Sequence, residues 1–470
     1  MKKKAIIAVL FSVCSLWSFG QRKQFDLSSY KLPDLKRSQL ELRLNMSGNT
    51  TKINYKSSRD SRYTNYRSSI KPLWNYYRNS KRWQTEQEVS MNYDYSSSER
   101  DFRGNEFEEK SNRFNGSVFS QNRYYINSKF FLEVDVDVDL YADKRKEDAQ
   151  EKSKEKYRRV DVKLPLSIGF GRIEQVQDAR LALYILEEMD KSGRLKKEPS
   201  NEEVLQLARE LSAIQNKRMF DFREKLTYEL VAADSVLQEM GLVEDSDAIY
   251  FGGLYDNLQY GDLQIRSAGS RWSIGVSPFL KNSDSEDEEN DIVTLKIDSK
   301  SEEVYGNLKY LREKPFKLNW QFSLYATIEY GYENRENEFG QQGKDTEELD
   351  VTGIKASLNY HICYYPNTRT SASIGFGGDY LRYDGEEKTR PIFNFGEDYL
   401  VDRDIEHKQW QGRFNAGFNY YISRQLQLRA HYSLTYYNYD SDSHYLMGSI
   451  DADRDSWNHH FNVSLIYKLF

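Results

Sequence analysis

The sequence predicts a mostly β protein, a transmembrane antiparallel β-barrel of roughly 14 strands (roughly 12 to 16) with an inserted three-helix segment. Three observations favour this fold: strictly alternating strands, short tyrosine-rich turns between them, and a change to helical spacing in mid-chain. The clearest strand runs from Lys129 to Tyr141. Every second residue from Leu132 to Leu140 is aliphatic and the residues between them are acidic, which gives one apolar and one acidic face.

This strand by itself fits two kinds of protein. In a soluble sandwich its carboxylates would face water, whereas in a membrane barrel its aliphatic side chains face lipid and its carboxylates face a polar lumen. The turns favour the barrel, because they combine paired tyrosines, which suit the headgroup level, with Asn, Ser or Thr and a basic residue. They lie at residues 76–81, 124–129, 364–369 and 420–424.

The remaining connections are predicted to be long polar loops. They lie at residues 96–112, 142–157, 282–290, 333–350, 384–408 and 440–457. Short turns that alternate with long loops are typical of barrels with short periplasmic turns and long outer loops.

Composition and the first residues indicate an exported protein. Among 470 residues there are 36 Tyr but 8 Pro, and the net charge of −6 against 67 basic and 73 acidic residues indicates no nucleic-acid partner. Residues 1–20 have a basic start, an apolar core and small residues at Ser18 and Gly20, so they are predicted to be a cleavable signal peptide. No apolar run of about 18 residues follows. Cys363 then stays alone, so no intramolecular disulfide is expected.

The chain divides into an N-terminal extended segment (21–37), a first half of the barrel (38–170), a helical insertion (171–258) and a second half of the barrel (259–470). The sixth strand is predicted from Val160 to Phe170. In the insertion, residues 178–190 have helical spacing, Ser200 with Glu203 forms a capping box before a second helix, and a third helix from about residue 218 ends before Gly241. Strand parity places these helices in the periplasm or in the lumen from below.

The last strand presents Phe461, Val463 and Leu465 on one face, and the sequence closes with Phe470. It resembles bacterial outer-membrane barrels, whose final strand is recognised by the barrel-insertion machinery, although here Leu469 rather than Phe470 shares the apolar face. Residues 171–174 (Gly-Arg-Ile-Glu), leading into helices, resemble barrel proteins of Bacteroidota-type Gram-negative bacteria. The resemblance implies the cell outer membrane as location and outer-membrane lipid and lipopolysaccharide as surroundings. It implies no activity.

The candidate functional residues are polar side chains predicted to line the lumen. They are Glu133, Asp135, Asp137, Asp139, Glu329, Lys355, His361, Arg413, Arg429 and His431. The four acidic residues would favour cations. No cofactor and no metal site are expected, because the acidic residues 284–289 lack EF-hand spacing.

Three functions are compatible with this pattern. The first is a porin-like, non-enzymatic barrel for passage or export of a polar solute, with a periplasmic helical domain that gates it or docks a periplasmic or envelope partner. The second is a plugged structural or adhesive barrel that binds through its outer loops. The third is a surface hydrolase, since His407, His444, His459 and His460 have aspartates nearby in sequence, and general-base chemistry needs a His oriented by a carboxylate.

Overall fold

The computed structural model describes most of the chain. The described residues are 25–53, 61–102, 105–148, 152–217, 222–243, 246–261, 266–290, 292–340, 345–389, 401–423, 426–445 and 448–467. The predicted signal peptide (1–20), Leu469 and Phe470 lie outside these residues.

Within the described residues the chain forms 15 strands and four α-helices. The first seven strands are β1 (Leu35–Ile53), β2 (Ser61–Asn79), β3 (Trp83–Phe102), β4 (Asn105–Tyr125), β5 (Phe130–Asp148), β6 (Lys152–Lys163) and β7 (Leu166–Gln175). The helices are α1 (Gln177–Lys191), α2 (Asn201–Gln215), α3 (Phe222–Glu239) and α4 (Ala248–Tyr260). The remaining strands are β8 (Ser267–Glu289), β9 (Ile292–Phe316), β10 (Trp320–Gly340), β11 (Asp345–Tyr364), β12 (Thr370–Thr389), β13 (Val401–Tyr421), β14 (Leu426–Tyr445) and β15 (Gly448–Tyr467).

The strands form one antiparallel barrel-like sheet in chain order, as predicted. β6 and β7 share the sixth place, so the described strands fill 14 places. Both pair with β5 and β8 in one continuous register, Lys163 opposite Asp137 and Leu166 opposite Val134. The interruption lies at Pro165, which has no N–H to donate to a neighbouring strand. Its carbonyl still accepts the N–H of Asp135 at 2.9 Å.

The connections differ between the two ends of the sheet. The short turns at residues 80–82, 126–129, 317–319 and 365–369, the helical insertion, the start of β1 and the end of β15 all lie at one end, here called the turn end. The opposite end, here called the distal end, carries the other hairpins. Since every neighbouring pair is antiparallel, this parity follows from the chain order alone.

The sheet carries its apolar side chains outside. On β5, Val134 is 50% exposed, whereas Glu133 and Asp135 are 4% and 5% exposed. A water-soluble protein buries the opposite set. Alternation with aliphatic residues outward and charges inward is the pattern of a barrel surrounded by lipid.

Aromatic side chains flank the outward apolar surface at two levels. Near the turn end, Trp320 lies 4.6 Å from Tyr364 between ring centroids. About halfway along β13, β14 and β15, Tyr436 lies between Trp410 and Trp457, at 5.1 and 4.6 Å. Such girdles mark the two interfaces of a membrane.

The prediction of long distal loops is wrong. Apart from β6 and β7 the strands span 19 to 25 residues, and most of each predicted loop is strand. Lys154 and Lys156 on β6, for example, face Glu288 and Glu286 on β8 through paired backbones. Beyond the lipid both faces of a hairpin meet water, so the apolar alternation ends while the hydrogen-bonded ladder continues.

The three predicted helices are present, and α2 begins with the predicted capping box, in which Ser200 and Glu203 bond each other's backbone N–H. The count of three was too low, because α4 follows in the described part of the chain. Gly252 and Gly253 lower the helix propensity of α4, so the sequence pattern does not predict this helix. No described helix is long and apolar enough to cross a membrane.

The helices share one apolar core with the segment before β1. Leu27, Tyr30 and Leu32 are buried among α1, α2 and α4 side chains such as Ile185 and Leu211. The predicted extended segment therefore includes a 3-10 turn, Leu27–Ser29, and packs across the bundle. Residues 26–37 are called the strap below.

The sheet has one seam. Within the described residues β1 pairs with β2 and β15 with β14, and these two strands end the strand order. Their outward side chains are more exposed than those elsewhere, with Met46 at 75% and Phe461 at 70% against 50% for Val134. Because 14 is even, β1 and β15 run antiparallel across this seam.

Candidate functional site: the polar interior and its helical base

The predicted acidic wall of β5 is partnered by a basic residue that sequence analysis did not single out. Arg123 on β4 lies directly opposite Glu133 and forms an ion pair with it, both side chains being buried. Ser167 Oγ donates to Glu133 at 3.3 Å, and Gln121 Nε2 donates to Asp135 at 3.3 Å. The sequence did indicate the orientation of Arg123, because the alternation of side chains places it on the polar face of β4.

The wall becomes more open toward the distal end. Asp137 is half-buried and Asp139 is exposed, and their neighbours on β6 are Lys163 and Asp161. The four carboxylates therefore do not form one uniform anionic surface. Glu133 is neutralised by Arg123 and Asp137 lies opposite Lys163.

A second charged cluster joins β8, β9 and β11. Lys355 lies opposite the predicted Glu329 in the register of β10 and β11. Its Nζ lies 2.8 Å from the Tyr305 hydroxyl and 4.0 Å from Glu303 Oε2, and Glu303 also pairs with Lys281. Glu303 and Lys281 were missed, because residues on separate strands become neighbours only through the register.

The other predicted residues lie on the polar face of β11 to β14. Arg413 Nη2 is 2.6 Å from Asp379 Oδ2. Arg429 Nε donates to Asn419 Oδ1 at 3.2 Å, while His361 and His431 are exposed on the same face. The structure thus divides the ten predicted residues between a closely packed wall on β5 and a more accessible wall on β10 to β14.

Two of the four histidines considered for hydrolysis, His407 and His459, contact tyrosines. His407 is buried between Tyr383 and Tyr439, each with its ring centroid 4.5 Å away. His459 Nδ1 lies 2.9 Å from the Tyr432 hydroxyl. The side chain of His444 lies outside what the structure describes. In the described part of the chain no group of three or more His, Cys, Asp or Glu could hold a metal ion.

The helical bundle is fixed to the turn end of the sheet. The Tyr184 hydroxyl on α1 donates to the Tyr365 carbonyl at 2.8 Å, in the turn between β11 and β12. Asp256 on α4 forms an ion pair with Arg369 in the same turn. Arg266, just before β8, donates from Nη2 to the Trp320 carbonyl at 2.6 Å.

Contacts on other turns spread this attachment. Arg172 at the end of β7 donates to the carbonyls of Ser80 and Lys81, at 2.8 and 3.0 Å, in the turn between β2 and β3. The ring of Tyr260 lies 6.3 Å from that of Tyr421 at the end of β13. The insertion and its flanks therefore contact four hairpins spaced around the sheet.

The strap connects the bundle to β1. The Tyr30 hydroxyl donates to the buried Asp178 at 3.3 Å, and burial, together with this carboxylate, raises the pKa of Tyr30 above its usual range. Arg37 Nε donates to Asn216 Oδ1 at 2.6 Å, and its Nη2 lies 3.7 Å from Asp178 Oδ1. One buried carboxylate on α1 thus contacts the strap at two points, Tyr30 and Arg37.

Neither a protein-family model nor a curated protein matches the sequence. Among solved structures, the chain is similar to the ferric yersiniabactin uptake receptor FyuA of Yersinia pestis, with 8% identity over 90% of this chain and 75% of that chain and a TM-score of 0.31. It is also similar to the TodX monoaromatic hydrocarbon channel (9% identity, 89% and 82% covered, TM-score 0.24) and to OccK5 (OpdH) of Pseudomonas aeruginosa (6%, 92% and 98%, 0.13). The chain's own strand order and exposure pattern establish the fold.

Proposed function

We propose that this chain is a non-enzymatic outer-membrane barrel for passage or export of a polar solute, and that its helical domain closes the turn end. In this orientation the turn end faces the periplasm and the distal hairpins face outward. The contact of the helical insertion and its flanking residues with four separate hairpins carries the proposal, because a domain that merely followed one turn would contact only that hairpin.

The interior chemistry supports a polar solute. Charged side chains such as Glu329, Lys355, Arg413 and Arg429 lie on the inward face, where the predicted lumen would be. An apolar solute would gain little there, since every interior contact would strip water from a charged group. The tyrosine contacts of His407 support a barrel without hydrolase chemistry.

The attachment of the bundle supports a gate more than a permanent seal. Its ties to the β11–β12 turn include one ion pair at Asp256, one hydrogen bond at Tyr184, and cation–π contacts of Arg180 with Tyr365 and of Arg369 with Tyr260. Partly exposed ion pairs of this kind contribute roughly 0–1 kcal/mol. Such contacts can break and re-form within the lifetime of the folded barrel.

A tether across this contact tests the gate. Cys363 is the only cysteine among the described residues, so a Cys363→Ser background is free of competing thiols there. Asp256→Cys and Arg369→Cys, introduced together, are bridged by a short bis-maleimide, and single-channel conductance is recorded in planar bilayers. The control is the same variant with both thiols capped by N-ethylmaleimide.

We expect the capped protein to conduct and the bridged protein to fall silent. Equal conductance in both would contradict a helical gate while leaving passage intact. Silence in both, and also in a chain lacking residues 177–260, would contradict passage and favour the plugged structural or adhesive barrel.

A further inference from the structure

A polar cavity lies toward the distal end of the sheet, beyond the predicted lumen residue Asp139 on β5. It has a volume of about 470 Å³ and is bounded by the inward faces of β2 to β6. Its residues Arg113 and Asp143 lie ten positions along their strands from Arg123 and Glu133, roughly 33 Å at the usual rise of a strand. It is called the distal cavity below.

Charges of opposite sign alternate across the strands that line it. Arg113 on β4 lies directly opposite Asp94 on β3 and Asp143 on β5. Its Nη2 is 3.2 Å from Asp143 Oδ2, and Arg67 Nη2 on β2 is 3.9 Å from Asp94 Oδ1. These four side chains therefore form a first row of alternating positive and negative charge across β2 to β5.

A second row nearer the distal end shows the same alternation. Arg145 on β5 lies directly opposite Glu155 on β6, at 4.0 Å, and its Nε is 2.8 Å from Glu109 Oε1 on β4. With Arg100 the cavity has four guanidinium groups, and they face four carboxylates. The formal charge of the lining is thus zero, although eight charged groups surround one space.

These ion pairs leave bonding capacity for a ligand. The side chains of Arg67, Arg113 and Arg145 are 62%, 46% and 48% exposed. A guanidinium has five N–H donors, and the one or two carboxylates beside each of these arginines occupy only some of them. Hydroxyl groups of Ser96 and Ser111 also line the cavity and add neutral hydrogen-bonding partners.

We propose that the distal cavity binds zwitterionic solutes, namely free amino acids or short peptides with charged ends. A carboxylate would bind a guanidinium such as Arg113, and an ammonium would bind the neighbouring Asp143. An anion would be repelled by the four carboxylates and a cation by the four guanidinium groups. Only a solute that carries both charges can pair with both kinds of group. The volume suits a ligand of this size. This inference rests on the proposed passage of a polar solute and names its chemical class.

Isothermal titration calorimetry of the purified full-length protein in detergent micelles tests the site. The probes are triglycine with free ends and the same peptide with an acetylated amine and an amidated carboxyl group. The double variant Arg113→Gln with Asp143→Asn removes one ion pair without changing the net charge. The matched control, Arg382→Gln with Glu406→Gln, removes an ion pair of the same length, 3.2 Å, outside the cavity and away from the predicted lumen residues.

We expect triglycine to bind the wild type and the control, and to bind the cavity double variant at least tenfold more weakly. The blocked peptide should bind none of them. Arg113→Lys, which keeps the charge but loses the planar fork, should give an intermediate Kd and covers the case in which the double variant does not fold.

Equal binding of both peptides, equal loss in both double variants, or no binding to the wild type would overturn the site. The bilayer experiment separates this outcome from the proposed function. Binding without conductance would leave the site and remove passage, whereas conductance without binding would remove only the site.

Discussion

The buried pair of Arg123 and Glu133 allows a quantitative test of the interior. Both side chains are almost fully buried, at 6% and 4% exposure. Replacing Arg123 by Met removes the direct ion partner of Glu133, and breaking a buried ion pair in this way typically costs about 3–5 kcal/mol. The charge of Arg271 also acts on Glu133, so we expect a loss at the lower end of that range. Replacing Glu133 by Gln as well removes the orphan charge, so the double variant should lie within about 1–2 kcal/mol of the wild type.

The assay is urea unfolding of the protein in detergent micelles, followed by tryptophan fluorescence. The order expected for the free energy of unfolding is wild type and double variant close together, with Arg123→Met well below both. The reasoning is refuted if the single and double variants lose the same free energy, because the pair would then contribute packing rather than charge compensation. A second double variant, Arg413→Gln with Asp379→Asn, provides a reference pair that is more exposed.

Three further outcomes test the bundle and its junction with the sheet. Tyr184→Phe removes the hydrogen bond to the Tyr365 carbonyl, so hydrogen exchange should show α1 opening about 1 kcal/mol more easily. The pKa of Glu203 is lowered from 4.5 to about 2, chiefly by a hydrogen bond from Lys197. The ionised carboxylate therefore stabilises the folded bundle fully above pH 4.5, and this stabilisation is lost as the pH falls toward 2. Circular dichroism should show that acid removes less helix from Glu203→Gln than from the wild type. Gly171 has a φ of +108°, so Gly171→Ala should lower stability by about 1–3 kcal/mol in thermal unfolding, whereas Gly412→Ala, where an added Cβ meets nothing within 4 Å, should change little.

The parts of the fold that follow from the sequence are those where one physical constraint dominates. On β5, lipid on one side and charge on the other impose a period of two, so Val134 and Glu133 could be assigned to opposite faces. At α2 the capping chemistry of Ser200 and Glu203 is local and needs no tertiary information. Both predictions are confirmed.

The parts that did not follow depend on distant neighbours or on weak local signals. Arg123 could be assigned a face but not a partner, because its position opposite Glu133 depends on the register of β4 and β5. The distal strands carry polar residues on both faces, and α4 contains two glycines, so neither shows the period expected of it. The predicted lumen role of Glu329, Lys355, His361 and the residues grouped with them remains a prediction.

The strap has a consequence for the order in which the chain assembles. Tyr30 and Asp178 are 148 positions apart, yet almost every other contact in the sheet joins strands that follow one another. The helices follow the first seven strands in the chain, so their packing on the strap closes one long loop. Each later strand then adds to a fixed edge through a local hairpin, a step that costs little chain entropy. We expect the first half with its helices to act as the nucleus, and the strands from β8 onward to follow in sequence.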